Sequence, residues 1–157
     1  MMSTSSHDQD LIARAIIWRD GALLVNANHN AKTGDDYFAL PGGHVDPGES
    51  CVQALQREIE EELGARCEVG DLQFVCENIY AGRRQSESKR HELTLVFAAT
   101  LQGETTRPDG TIASPEADKN FRWLPESELA GANLLPADIH AFLARAITAR
   151  YRFSDTR

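Results

Sequence analysis

Short apolar blocks separated by Gly, Pro and charged residues set the rhythm of this 157-residue chain. "LIARAIIW" and "ALLVNAN" flank "RDG" and predict two strands around a tight turn. "HNAKTGDD" reads as a polar loop, "YFAL" as a short strand ending at Pro41, and "GGHVDPGE" as a loop by its glycines and proline. From Ser50 to Leu63 the period becomes helical. Ser50 with Gln53 makes a capping box and Gly64 a stop. "CEVGDLQFVCENIYA" predicts extended chain broken at Gly-Asp, "GRRQSESKRHE" a charged loop, and "LTLVFAATL" the clearest buried strand. After the long loop "QGETTRPDGTIASPEADKN", "FRWL" closes the strands. "PESELAG" and "PADIHAFLARAITARY" follow as helices with Pro in the first turn.

Strands mixed with a few helices, without regular β-α alternation, indicate an α+β chain or an α/β/α sandwich around a mixed sheet. The length suits one domain, expected over 10–153, with a polar leader at 1–9 and a tail at 154–157. Trp18 and the stripe Val52, Leu55, Ile59 and Leu63 are expected in the core.

Composition adds exclusions. A net charge of −8 argues against binding a nucleic-acid polymer or an anionic membrane, both of which need a basic surface. No apolar run approaches a membrane span, and "MMSTSSHDQD" lacks a hydrophobic signal core. Cys51, Cys67 and Cys76 lack metal-ligand spacing and read as reduced thiols. A cytoplasmic protein is expected.

The chemistry concentrates in "PGGHVDPGESCVQALQREIEEELGA". On a wheel of about 100° per residue, with Glu58 at zero, Glu61 and Glu62 fall at about −60° and +40°. Three carboxylates thus share one helical face beside the apolar stripe, and Glu60 points away. Like charges four residues apart cost a few tenths of a kcal/mol. A divalent cation reverses that sign, because Mg2+ and Mn2+ prefer carboxylates, peptide carbonyls and water. Gly42 and Gly43 leave room for such carbonyls. A merely solvated acidic face is the plainer alternative.

Gly43, Glu49, Arg57, Glu58, Ile59, Glu61, Glu62, Gly64 and Ala65 stand at the spacing of the Nudix box, so the segment resembles that family. Ala65, where a larger aliphatic residue is usual, is the one soft departure. The preceding hairpin, "HELTLVFAAT" and "FRWLPESEL" also look like the family's layout. The resemblance implies an α/β/α sandwich with a curved mixed sheet. It implies Mg2+-dependent hydrolysis of a nucleoside diphosphate linked to another group, with Mn2+ as a substitute and homodimers common. By resemblance Glu58, Glu61 and Glu62 bind metal and accept protons, and Gly42 or Gly43 adds a carbonyl. Arg57 pairs with Glu49 or a helix glutamate to fix its rotamer.

Outside the box, Glu92, Glu104 and Glu116 are candidates for a further carboxylate, with Glu92 and Glu116 ahead. Arg83 and Arg84 are candidates for substrate phosphate, and His44 for substrate or metal. No Pro lies between Pro47 and Pro108, so the marker of ADP-ribose hydrolases is missing. Tyr80 is a slight hint of dinucleoside polyphosphates. Nucleoside triphosphates, nucleotide sugars, ADP-ribose and dinucleoside polyphosphates all stay open. The rival readings are a noncatalytic nucleotide sensor on the same fold, an isoprenoid diphosphate isomerase, and a metal buffer.

Overall fold

The computed structural model describes residues 9–81, 89–143 and 149–156. The chain begins with β1 (Gln9–Ile16), β2 (Trp18–Arg19), β3 (Ala22–Asn30), β4 (Asp35–Ala39) and β5 (Gly42–His44). Helix α1 (Cys51–Leu63) leads into the long strands β6 (Arg66–Tyr80) and β7 (Arg90–Gln102). Then come β8 (Thr111–Ile112), β9 (Phe121–Pro125), α2 (Glu126–Leu129), β10 (Leu134–Leu135), α3 (Ile139–Leu143) and β11 (Tyr151–Asp155).

Two sheets result. One runs β11-β6-β7-β1-β5; the other runs β10-β4-β3-β9-β8, with β2 beside β3. Both are mixed: β1 lies parallel to β7, β11 to β6 and β10 to β4, while the other pairs are antiparallel. Leu55, Ile59 and Leu63 of α1 pack on Ala13, Ala15, Phe97 and Leu101. Ile139 of α3 joins a second cluster with Ile16, Phe74 and Val96. The first sheet therefore lies between helices, as an α+β sandwich requires. Among the described residues no helix is long and apolar enough to cross a membrane.

Several local expectations need correction. "GGH" is strand rather than loop, because it pairs with Ile12–Arg14 of β1. The C-terminal helix is described only over Ile139–Leu143, and Tyr151, expected within it, starts β11. That strand pairs with Val75–Ile79 and reaches Asp155. Val52 is 37% and Trp18 40% exposed. Val52 stands at the outer, first turn of the stripe, while Ala54, about 40° from Glu58 on the wheel, is fully buried on the acidic side. Trp18 lies outside because it sits on the short strand β2, paired only with β3. The Gly-Asp interruption appears as a register shift between Val69 and Leu72 inside one continuous β6.

Candidate active site

The α1 N-terminus is built by local chemistry. Ser50 Oγ accepts from the Gln53 N–H at 3.1 Å, and the Gln53 side chain accepts from the Ser50 N–H at 2.8 Å. At the other end Gly64 is left-handed (φ 59°) and donates to the Glu60 carbonyl at 2.9 Å. These stops fix which carboxylates face the sheet.

β5 brings the glycines to that face. Ala15 donates to the Pro41 carbonyl and Val45 to the Leu11 carbonyl, each at 2.9 Å. Antiparallel alternation then makes Ala13 and Gly43 the hydrogen-bonded pair and leaves the peptide groups of Gly42 off the ladder. The Gly42 N–H donates to Glu62 Oε2 at 3.4 Å, and its carbonyl accepts from Arg14 Nη1 at 3.0 Å. The same Arg14 nitrogen reaches the Leu40 carbonyl at 2.9 Å. A Cβ on Gly43 would stand 2.5–2.7 Å from the Glu58 carboxyl atoms, so glycine there makes the seat for that carboxylate.

A cleft of about 240 Å3 opens at this junction, lined among others by Arg14, Asn26, Gly42, Gly43, Glu58, Glu62 and Lys119. Glu62 is only 5% exposed. Burial pushes its carboxyl up to about 7, against the opposing pull of Lys119 and of the Gly42 N–H. Arg14, also stripped of water, has its guanidinium pKa lowered by burial, with Glu62, Glu92 and Glu58 opposing that shift.

Glu61 is placed differently. Its side chain is half exposed and it accepts from Arg57 Nη1 at 3.4 and 3.5 Å. Arg57 binds Glu49 with two nitrogens, touches Glu58 at 3.1 Å and donates to the His44 carbonyl at 3.1 Å. Its bonds to Glu49 raise the Arg57 pKa and hold the Glu49 carboxyl below its ordinary range. Glu58 and Glu62 thus share the cleft while Arg57 draws Glu61 to the rim. Among the described residues no three His, Cys, Asp or Glu are gathered closely enough to hold a metal between them.

Of the carboxylates outside the box, Glu104 is tied to Arg19. Glu116 sits in the loop crossing the end of α1 and does not line the cleft; its N–H donates to Ser114 Oγ. Glu92 accepts from the Tyr80 hydroxyl and acts electrostatically on Arg14. Arg83 and Arg84 lie outside the described residues. His44 lines the cleft and stands 3.5 Å from Asp10.

Sequence reasoning passed over Arg14, Asn26 and Lys119. For Arg14 a signal existed, a lone cation in the apolar run "LIARAIIW". Asn26 and Lys119 carry none, since only sheet pairing brings them to α1.

The NUDIX domain model matches residues 9–149. The chain belongs to the Nudix family. It is a Nudix hydrolase acting on pyrophosphate bonds, in a family that generally uses divalent metal ions. Nucleoside triphosphatase NudI of Salmonella newport (strain SL254) is 26% identical over 141 residues, spanning 88% of this chain and 98% of NudI. The E. coli ORF135 protein is 27% identical with a TM-score of 0.60, over 92% of this chain and 96% of that one. The MutT protein from Bacillus halodurans shares the fold of this Nudix hydrolase, with a TM-score of 0.68 at 16% identity over 93% and 89% of the chains.

Proposed function

We propose that this Nudix hydrolase is a Mg2+-dependent pyrophosphohydrolase of nucleoside triphosphates. The carrying observation is that Glu58 and Glu62, one helical turn apart, meet Gly42 and Gly43 in a cleft that also holds Arg14 and Lys119. Similarity to a nucleoside triphosphatase supports the substrate class over nucleotide sugars, ADP-ribose and dinucleoside polyphosphates.

The residues present fit the metal. Mg2+ takes one or two carboxylates, keeps several waters and shares substrate phosphates, so two buried-edge carboxylates and a peptide oxygen suffice. The missing Cβ of Gly43, whose space the Glu58 carboxyl uses, is what keeps that donor set together. When bound, the ion neutralises phosphate oxygens and acidifies the attacking water.

The chain's own groups do the rest. Glu58 and Glu62 supply the hard oxygen ligands, and Gly42 or Gly43 a carbonyl. Glu61 serves water or metal from the rim. Arg57 and Glu49 lock the loop against the helix as positioning residues. Glu92, oriented by Tyr80 and facing Arg14, is the carboxylate outside the box that this geometry favours. Arg83 and Arg84 are kept as phosphate contacts. We assign the work to a single domain over 10–153, in the cytoplasm, acting on small nucleotides, with a homodimer as the working assembly.

The test is a Mg2+-dependent screen of triphosphates, nucleotide sugars, ADP-ribose and dinucleoside polyphosphates, with products identified by mass. Triphosphates should turn over fastest. Glu62→Gln should lower kcat by about two orders of magnitude or more in a folded protein. Near-wild-type turnover of that variant would end the assignment.

A further inference from the structure

Lys119 has no part in the metal-ligand set, yet it stands in the same cleft. Its ammonium lies 3.9 Å from Glu62 Oε1, at the outer limit of an ion pair, with the lysine side chain 27% exposed and that of Glu62 7%. Its position comes from the sheet rather than from this pair. The Lys119 N–H donates to the Glu116 carbonyl at 3.3 Å. The next residue is clamped twice to β3: Asn120 N–H donates to Asn26 Oδ1 at 2.9 Å, and the Ala27 N–H donates to the Asn120 carbonyl at 2.8 Å. Ser114 Oγ, from the same loop, donates to the Glu62 carbonyl. The loop therefore delivers one cation over one carboxylate.

Resting on the function proposed above, we propose that Lys119 is the counterion of Glu62 in the metal-free enzyme and a phosphate-binding residue once a divalent ion is loaded. A divalent cation on Glu62 and an ammonium at this range repel, so the two compete for the carboxylate. Part of the lysine's surface is open to the cleft, and a compact charge with three donors suits a phosphate oxygen. Glu62 thus keeps a positive neighbour besides Arg14 in each state, which limits the cost of its burial. Lys119 also adds substrate affinity to that of Arg14, the other cation lining the cleft.

The two roles give effects of opposite sign in one variant. Lys119→Met keeps the apolar stem and removes the charge. Mn2+ binding to the substrate-free protein, read by calorimetry or by the electron paramagnetic resonance of free Mn2+, should tighten about fivefold. KM for the best triphosphate should rise about tenfold, with kcat changing less than about threefold. Lys119→Arg should return both quantities toward wild type. Unchanged or weaker Mn2+ binding in Lys119→Met overturns the competition, and an unchanged KM overturns the phosphate role. Lys119→Arg behaving like Lys119→Met shows that charge is not the cause and overturns both. These failures are distinct from failure of the underlying reading, in which the wild-type protein itself neither binds Mn2+ nor hydrolyses a nucleotide.

Discussion

Arg57 donates to both oxygens of Glu49, from Nε at 3.1 Å and from Nη2 at 2.6 Å, and so ties the glycine loop to the middle of the acidic helix. Glu49 also accepts from the Asp46 N–H at 2.8 Å, so one carboxylate closes the loop and orients the arginine. Glu49→Gln loses the ionic fork while keeping the shape. Its kcat should fall about tenfold or more with little change in KM. Circular dichroism should show an unaltered fold, and a kcat within twofold of wild type would remove Glu49 from the positioning role.

The two glycines answer differently to alanine. At Gly42, φ is 130° and a Cβ would meet the Ala13 carbonyl oxygen at 2.1 Å, so backbone must move. Gly42→Ala should lose roughly 2–4 kcal/mol of stability. At Gly43 the collision is with the Glu58 carboxyl at 2.5–2.7 Å, a side chain that can swing aside. Gly43→Ala should fold with a smaller loss and lose Mn2+ affinity and turnover instead. Denaturant titration beside Mn2+ binding separates the two, and equal behaviour would contradict the geometry.

Glu62 makes the metal-free protein pH-sensitive. Its carboxyl titrates near 4.5 in the unfolded chain and about 7 in the folded one, because burial disfavours the charge. Between those values the folded state holds the extra proton. Its contribution to stability is therefore full below about 4.5 and is lost as pH rises through about 7. The loss is on the order of 3 kcal/mol. In chelator, the denaturation midpoint of the wild type should fall across this window, while Glu62→Gln should show a flatter profile. Added Mg2+ should restore stability at pH 8 and do little at pH 5. A wild-type slope equal to that of the variant would refute this.

Arg14 is the cation at the back of the cleft, bonded to the carbonyls of Leu40 and Gly42. Arg14→Met leaves both carbonyls and the nearby carboxylates without it. The expected cost is about 3 kcal/mol, read by urea denaturation. A loss under about 0.5 kcal/mol would make Arg14 a bystander.

Much of this molecule could be read before any tertiary contact was known. Ser50, Gln53 and Gly64 act within a few residues of themselves, so α1 and the shared face of Glu58 and Glu62 follow from helical spacing alone. For Arg57 the family resemblance offered Glu49 or a helix glutamate as partner, and the structure gives it both. Pairing between distant strands decided the rest. It made a strand of Gly42–His44 and another of Tyr151–Asp155, both of which gain their hydrogen bonds from partners far along the chain. It carried Arg14, Asn26 and Lys119 to the carboxylates. It also buried Glu62, whereas the contact of Glu61 with Arg57, four residues apart on the same helix, is local. Local sequence sets what a helix can present; burial against the sheet determines which of those charges must find a cation.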